Sequence, residues 1–127
     1  MTMSLVMRAT KRTALVCDDD TMTRGLVSRL LEEAGYDILA ELDTAVDLVD
    51  VARLSKPDLI VLDLSLPGMS GVAAVPELRK ASPVSRIIVC TSFDNLADEA
   101  RVKGVHAVVS KTELLSLVEI IEGLARV

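Results

Sequence analysis

Residues 58–71 read DLIVLDLSLPGMSG. The aliphatic residues Leu59, Ile60, Val61 and Leu62 run without a polar interruption and stop at Asp63. Such a run, bounded by turn residues, is the pattern of a strand buried on both faces, and strands of that kind belong to parallel sheets. Pro67, Gly68 and Gly71 make the next stretch a loop. A helix is then predicted over 71–79, with Pro76 marking either a late start or a kink.

The same unit recurs on both sides. Upstream, TALVC (13–17) is a short apolar run that ends in Asp18, Asp19 and Asp20. A helix follows over 21–34, with Met22, Leu26, Val27, Leu30, Leu31 and Ala34 near the 3.6-residue period. Gly25 weakens it and Gly35 stops it. A weaker strand is predicted over 36–42. Thr44 then caps a helix running to 54, with Asp47 in a capping-box variant and Ala45, Leu48, Val49, Ala52 and Leu54 as its apolar face. Downstream, RIIVC (86–90) is another buried strand. A short polar helix over 94–103 stops at Gly104. A strand over 105–109 leads to a last helix over 112–127, with Leu114, Leu115, Val118, Ile121, Leu124 and Ala125 inward.

Strand followed by helix, five times over, calls for an α/β fold: a parallel sheet covered on both faces and wound by right-handed crossovers. The predicted organisation is a flexible N-terminal arm over 1–11 and one domain over 12–127. Area scaling for 13.6 kDa gives roughly 6,600 Å² exposed when folded against roughly 20,000 Å² unfolded, so a sizeable core is available. With 50% hydrophobic and 26% charged residues the chain is neither disordered nor fibrous. Tyr36 and Phe93 are its only aromatics, so the core is aliphatic and a stacking platform for single-stranded nucleic acid is excluded. A net charge of −5 argues against direct binding of nucleic acid or anionic membrane by this domain. Cys17 and Cys90 lie inside apolar runs and read as buried thiols of a reducing compartment. With no signal peptide and no spanning segment, a cytoplasmic protein is expected.

Polar residues gather at the carboxyl ends of the strands, where open parallel sheets place their sites. They are Asp18, Asp19 and Asp20 after the first strand, Asp63 after the third, Thr91 and Ser92 after the fourth, and Ser110 and Lys111 after the fifth. Carboxylates crowded into one cleft repel one another and need a hard cation, a shared proton or a cationic partner. Mg²⁺ suits oxygen ligands and keeps several waters. Zinc suits the set poorly, since His106 stands alone and both cysteines are core residues. A cation, a lysine and a hydroxyl together stabilise the oxygens of a transferring phosphoryl group. The chemistry indicated is phosphoryl transfer to an aspartate carboxylate. Asp58 precedes its strand and belongs at the opposite end of the sheet.

The segments ALVCDDD (14–20), DLIVLDLSLPGMSG (58–71), IIVCTS (87–92) and VVSK (108–111), in this order and spacing, resemble the receiver domain of two-component response regulators over about residues 12–126. The resemblance implies a flavodoxin-like (βα)5 three-layer sandwich with sheet order 2-1-3-4-5. It implies that Asp63 accepts a phosphoryl group from a phosphohistidine of a sensor histidine kinase or phosphotransfer protein. Asp18, Asp19, Asp63 and the Ser65 carbonyl would hold Mg²⁺. Thr91 would be the switch hydroxyl and Lys111, taken as an exposed lysine, would reach the phosphoryl oxygen. Asp20 would cap the following helix and not bind metal. Such a domain labels itself and is not a turnover enzyme. A DNA-binding domain attached in the parent protein would be compatible with it.

Three departures from the family pattern matter, the third covering two positions. Val108 stands where an aromatic rotamer switch is usual, and Thr112 where a proline joined by a cis bond is usual. A cis bond before a non-proline costs about 2.5–4 kcal/mol, so a trans bond is expected. Ser65 and Phe93 occupy the places that tune how long the acyl phosphate lasts; bulky Phe93 would screen attacking water. The helix over 94–103, the fifth strand and the last helix are expected to form a partner or homodimer face. Two rival readings are a phosphorylation-independent interaction module with a relic cleft, and a Mg²⁺-dependent aspartate-nucleophile phosphatase. The latter would resemble the haloacid dehalogenase-like enzymes, but Met22 stands where their first motif wants Thr or Val.

Overall fold

The computed structural model describes residues 11–92 and 104–125. Its elements are β1 (Arg12–Cys17), α1 (Thr21–Glu33), β2 (Tyr36–Leu42), α2 (Ala45–Ser55), β3 (Leu59–Asp63), α3 (Gly71–Ala81), β4 (Arg86–Thr91), β5 (Ala107–Ser110) and α4 (Ser116–Ala125). The predicted helix over 94–103, Phe93 and the arm up to residue 10 lie outside the described residues. The strands pair in parallel in the order β2-β1-β3-β4-β5. This is the doubly wound, flavodoxin-like arrangement, with β3 at its centre and all five β3 residues buried.

Two apolar layers flank the sheet. Leu15, Cys17, Ile60, Leu62, Ile87 and Val89 pack under α2 and α3. Ala14, Val16, Val61, Ile88, Cys90 and Val109 pack under α1 and α4. The alternation follows from the two-residue period of each strand, and it explains why the central strands are aliphatic throughout. Strand β2 breaks the alternation. Ala14 pairs with Ile38 but Leu15 with Ala40, leaving Leu39 as an extra, exposed residue. A one-residue slip sends following side chains to the other face. Tyr36 and Ile38 accordingly pack in the α1 and α4 layer, and Ala40 and Leu42 in the other.

Helix starts follow the cap residues. Asp20, Thr44 and Ser70 each accept a hydrogen bond from the backbone N–H three residues on, which satisfies an otherwise orphaned donor. Gly35 leaves α1 at a φ of +96°. Pro76 sits inside α3, and the helix begins at Gly71, so Pro76 marks no late start. Met22, Leu26 and Leu54 were expected to face inward but are 83%, 44% and 86% exposed. At 100° per residue they lie off the arc set by the buried positions of their helices. The last helix begins at Ser116, after a 3-10 turn over Lys111–Glu113, instead of at 112. That change of phase leaves Leu115 exposed and puts Leu117, overlooked in the sequence, fully in the core. The fifth strand likewise starts at Ala107, not at 105. Among the described residues no helix is long and apolar enough to cross a membrane.

Ser28, on α1, is buried with a hydroxyl that lacks a hydrogen-bond partner. An unsatisfied buried hydroxyl is a net cost. Ser28→Ala is therefore expected to raise the unfolding free energy by about 1 kcal/mol in urea denaturation. A loss of stability would show that the hydroxyl is bonded in solution.

Candidate functional site

The carboxyl ends of β1 and β3 are adjacent because the two strands pair in register, Cys17 beside Leu62. Asp18 and Asp63 therefore emerge side by side, 2% exposed each. Both carboxylates are tied down in the same way. One oxygen of Asp18 accepts the Asp20 N–H at 2.9 Å, and one oxygen of Asp63 accepts the Ser65 N–H at 3.0 Å. These are Asx turns, in which the side chain bonds the backbone two residues on. The second oxygen of each meets Lys111 Nζ, at 3.1 Å from Asp18 and 3.0 Å from Asp63. Asp19 completes a cluster in which one oxygen of each of the three aspartates lies within 4.8 Å of the others.

Lys111 reaches them from the 3-10 turn after β5. Ser110 caps that turn by accepting the Thr112 N–H at 3.3 Å. The peptide bond between Lys111 and Thr112 is trans, as expected, and no cis bond occurs among the described residues. The lysine is not the exposed residue that the sequence suggested: its side chain keeps 23% of its surface. Thr91, the last residue of β4, is buried and pairs with Ser110 of β5. Asp20 stands apart from the carboxylate cluster and caps α1. Its hydrogen bond from the Thr23 hydroxyl holds its pKa below the usual carboxylate value. Asp58 sits at the opposite end of β3, accepting the Thr13 N–H at 2.8 Å.

The electrostatics follow from burial and pairing. Burial raises the Asp18 pKa despite its bonds to Asp20 and Lys111. Burial also works against the Lys111 charge, but the hydrogen bonds to Asp63 and Asp18 outweigh it and raise the lysine pKa above normal. Cys17 and Cys90 are free thiols pushed up to about 12, chiefly by burial, which leaves them inert core residues.

Two contributors escaped the sequence reading. Arg24 donates to the Asp18 carbonyl at 2.8 Å and lies 3.8 Å from Glu41, fastening the end of β1 to β2. Its only sequence signal is a cation one turn into the helix that follows the acids. Gly71 donates its N–H to the Leu64 carbonyl at 3.0 Å. A Cβ there would run into the Leu64 Cα and lie 2.5 Å from the Asp63 carbonyl oxygen.

A parallel sheet with an aspartate cluster and a lysine at its topological switch defines the class, a doubly wound α/β domain with an acidic site. The family model described as response regulator receiver domain matches residues 14–122, and the chain belongs to that family. It is 32% identical over 105 residues to the transcriptional regulatory protein PdtaR of Mycobacterium tuberculosis, a match covering 81% of this chain and 51% of that protein. It is 30% identical over 83 residues to the chemotaxis protein CheY of Thermotoga maritima, covering 65% and 69%. Among solved structures it is similar to a DNA-binding response regulator of the LuxR family from Staphylococcus aureus, with a TM-score of 0.81 and 28% identity, covering 89% of this chain and 98% of that one. The chain thus spans about half the length of PdtaR.

Proposed function

We propose that this receiver domain takes a phosphoryl group onto Asp63 from a phosphohistidine of a sensor histidine kinase or phosphotransfer protein, and that the acyl phosphate switches an interaction surface. The observation that carries the reading is the single lysine shared between two buried carboxylates at the sheet's switch point. An Asp63 carboxylate oxygen attacks phosphorus, the P–N bond to the imidazole breaks, and the imidazole leaves with its electron pair. Asp63 has one oxygen fixed by Ser65, so its rotation is restrained before the donor arrives. Lys111 is already in place to pair with a phosphoryl oxygen, and Thr91 would supply a hydroxyl to another.

The three aspartates fit a hard divalent cation, since they offer only oxygen and crowd negative charge that Lys111 alone does not balance. Asp18, Asp19 and Asp63, with the Ser65 carbonyl, would hold Mg²⁺. The bound ion would neutralise charge on the phosphoryl oxygens. Val108, half-buried on β5, has no ring to swing, so the switch would run through Thr91 and loop movement. The output face would include β5 and α4. A DNA-binding partner domain in the parent protein is compatible with the named relatives.

The test is labelling with acetyl phosphate and Mg²⁺, followed by mass mapping. One phosphoryl group is expected on Asp63, and Asp63→Asn is expected to abolish the labelling, since the nucleophile itself is gone. Full labelling of that variant would overturn the assignment. No labelling of the parent chain would favour a phosphorylation-independent interaction module.

A further inference from the structure

At the amino-terminal end of the sheet, about 13 Å along β3 from Asp63 at the usual rise per residue, lies a cleft of about 240 Å³. Arg12, Tyr36, Asp58 and Arg86 furnish its polar wall, and Ile121 and Leu124 contribute apolar surface. Neither guanidinium is paired with a carboxylate among the described residues. Arg86 uses one N–H on the Leu124 carbonyl, and four remain. Tyr36 is 7% exposed, and its hydroxyl has no hydrogen-bond partner among the described residues. Tyr36 lines the cleft beside the two guanidiniums, and three donors around one cleft with a single carboxylate point to an anion.

We propose that this cleft binds a small organic monocarboxylate. A planar carboxylate matches the fork of an arginine, which gives the strongest class of hydrogen bond available here. Asp58 limits the charge. Its carboxylate accepts from the Thr13 N–H and hydroxyl, so it is held on this wall, where it repels a second negative charge. The net excess is one positive charge, which suits a monoanion and disfavours a phosphate dianion. The volume sets the size. A dry cavity of about 150 Å³ holds a benzene ring, so this cleft has room for a ring or branched chain together with a carboxyl group. The ligand's apolar body would lie against Ile121 and Leu124, and its carboxylate would bridge Arg12 and Arg86, with the Tyr36 hydroxyl as a third donor. The site involves none of the groups assigned to phosphoryl transfer. An occupant would engage the Arg86 that fastens β4 to the end of α4.

The experiment is a titration of the chain with benzoate, followed by backbone amide shifts. Saturable shifts are expected at Arg12, Tyr36, Leu59, Arg86 and Ile121. Arg12→Gln and, separately, Tyr36→Phe are each expected to weaken binding; for Arg12 the loss is about tenfold, the effect of one charge-assisted hydrogen bond. Arg12 is exposed and Tyr36→Phe keeps the buried ring, and unchanged spectra elsewhere report that folding is intact. Benzyl alcohol, of the same size without the charge, and inorganic phosphate are expected to bind more weakly. Shifts that do not saturate, shifts centred on Lys111, equal binding of benzyl alcohol or of phosphate, or variants that bind benzoate like the parent would each overturn the proposal.

Discussion

Gly71→Ala is expected to lower the unfolding free energy by about 3 kcal/mol, the upper end of the cost of forcing extra volume into a packed site. The cause is backbone, not side chain. A methyl group at this position meets the Leu64 Cα and the Asp63 carbonyl oxygen. Neither atom can rotate away, so α3 or the loop over 64–70 has to shift. The shift would also lengthen the Gly71 N–H bond to Leu64 and disturb the turn that aligns Asp63. For a chain of this size each kcal/mol moves the melting temperature by roughly 3–5 °C, so thermal unfolding should fall by about 10 °C or more. Amide shifts should move at residues 63–66. A change below about 0.5 kcal/mol would mean that the helix start relaxes freely and that Gly71 does not hold the site.

Lys111→Ala has the second largest expected effect. Asp18 and Asp63 are almost fully buried, and Lys111 is the cation that contacts both. Leaving buried charge unpaired costs about 3–5 kcal/mol. The lysine's partial exposure reduces this to about 2 kcal/mol in the absence of divalent ions. The loss should be smaller in Mg²⁺, because a cation among the carboxylates replaces the missing charge. It should also shrink as pH falls and Asp18 protonates. Burial already raises the Asp18 pKa in the parent, so this begins at a higher pH than for an ordinary aspartate. In the parent, the lysine's raised pKa means that its contribution is present below the ordinary lysine value and is lost only as pH climbs through the shifted one. Chemical denaturation with chelator and then with Mg²⁺ distinguishes these cases. Equal stability of variant and parent in chelator would rule out the lysine as the counterion.

The sheet was legible in the sequence because β1, β3 and β4 are buried on both faces, and nothing but uninterrupted aliphatic residues suits that environment. The positions of Asp18, Asp63 and Lys111 were legible for a related reason: each is the first ionisable residue after an apolar strand. What was not legible depends on contacts between distant segments. The extra residue at Leu39 is invisible in YDILAEL, which alternates well enough to pass for a one-faced strand. The exposure of Met22 and Leu54 was missed because periodicity reports that a residue is apolar, not which arc of the helix the sheet covers. The bond from Arg24 to Asp18 and the burial of Lys111 needed the third dimension. The charge cluster is local in space while its members come from residues 18 to 111.

The extra residue in β2 bears on what the open edge of the sheet offers to a second strand. β2 lies on the rim of the sheet, and a rim invites a second molecule to continue the ladder. With Leu39 out of step, the outward N–H and C=O groups of residues 36–38 and 40–42 do not share one spacing. An incoming strand can match one half or the other but not both. Asp37 and Glu41, both exposed and paired with Lys11 and Arg24, add hydrated charges that an incoming strand would have to displace. The irregularity that divides this strand between two cores thus also denies amyloid-type stacking a flat seed.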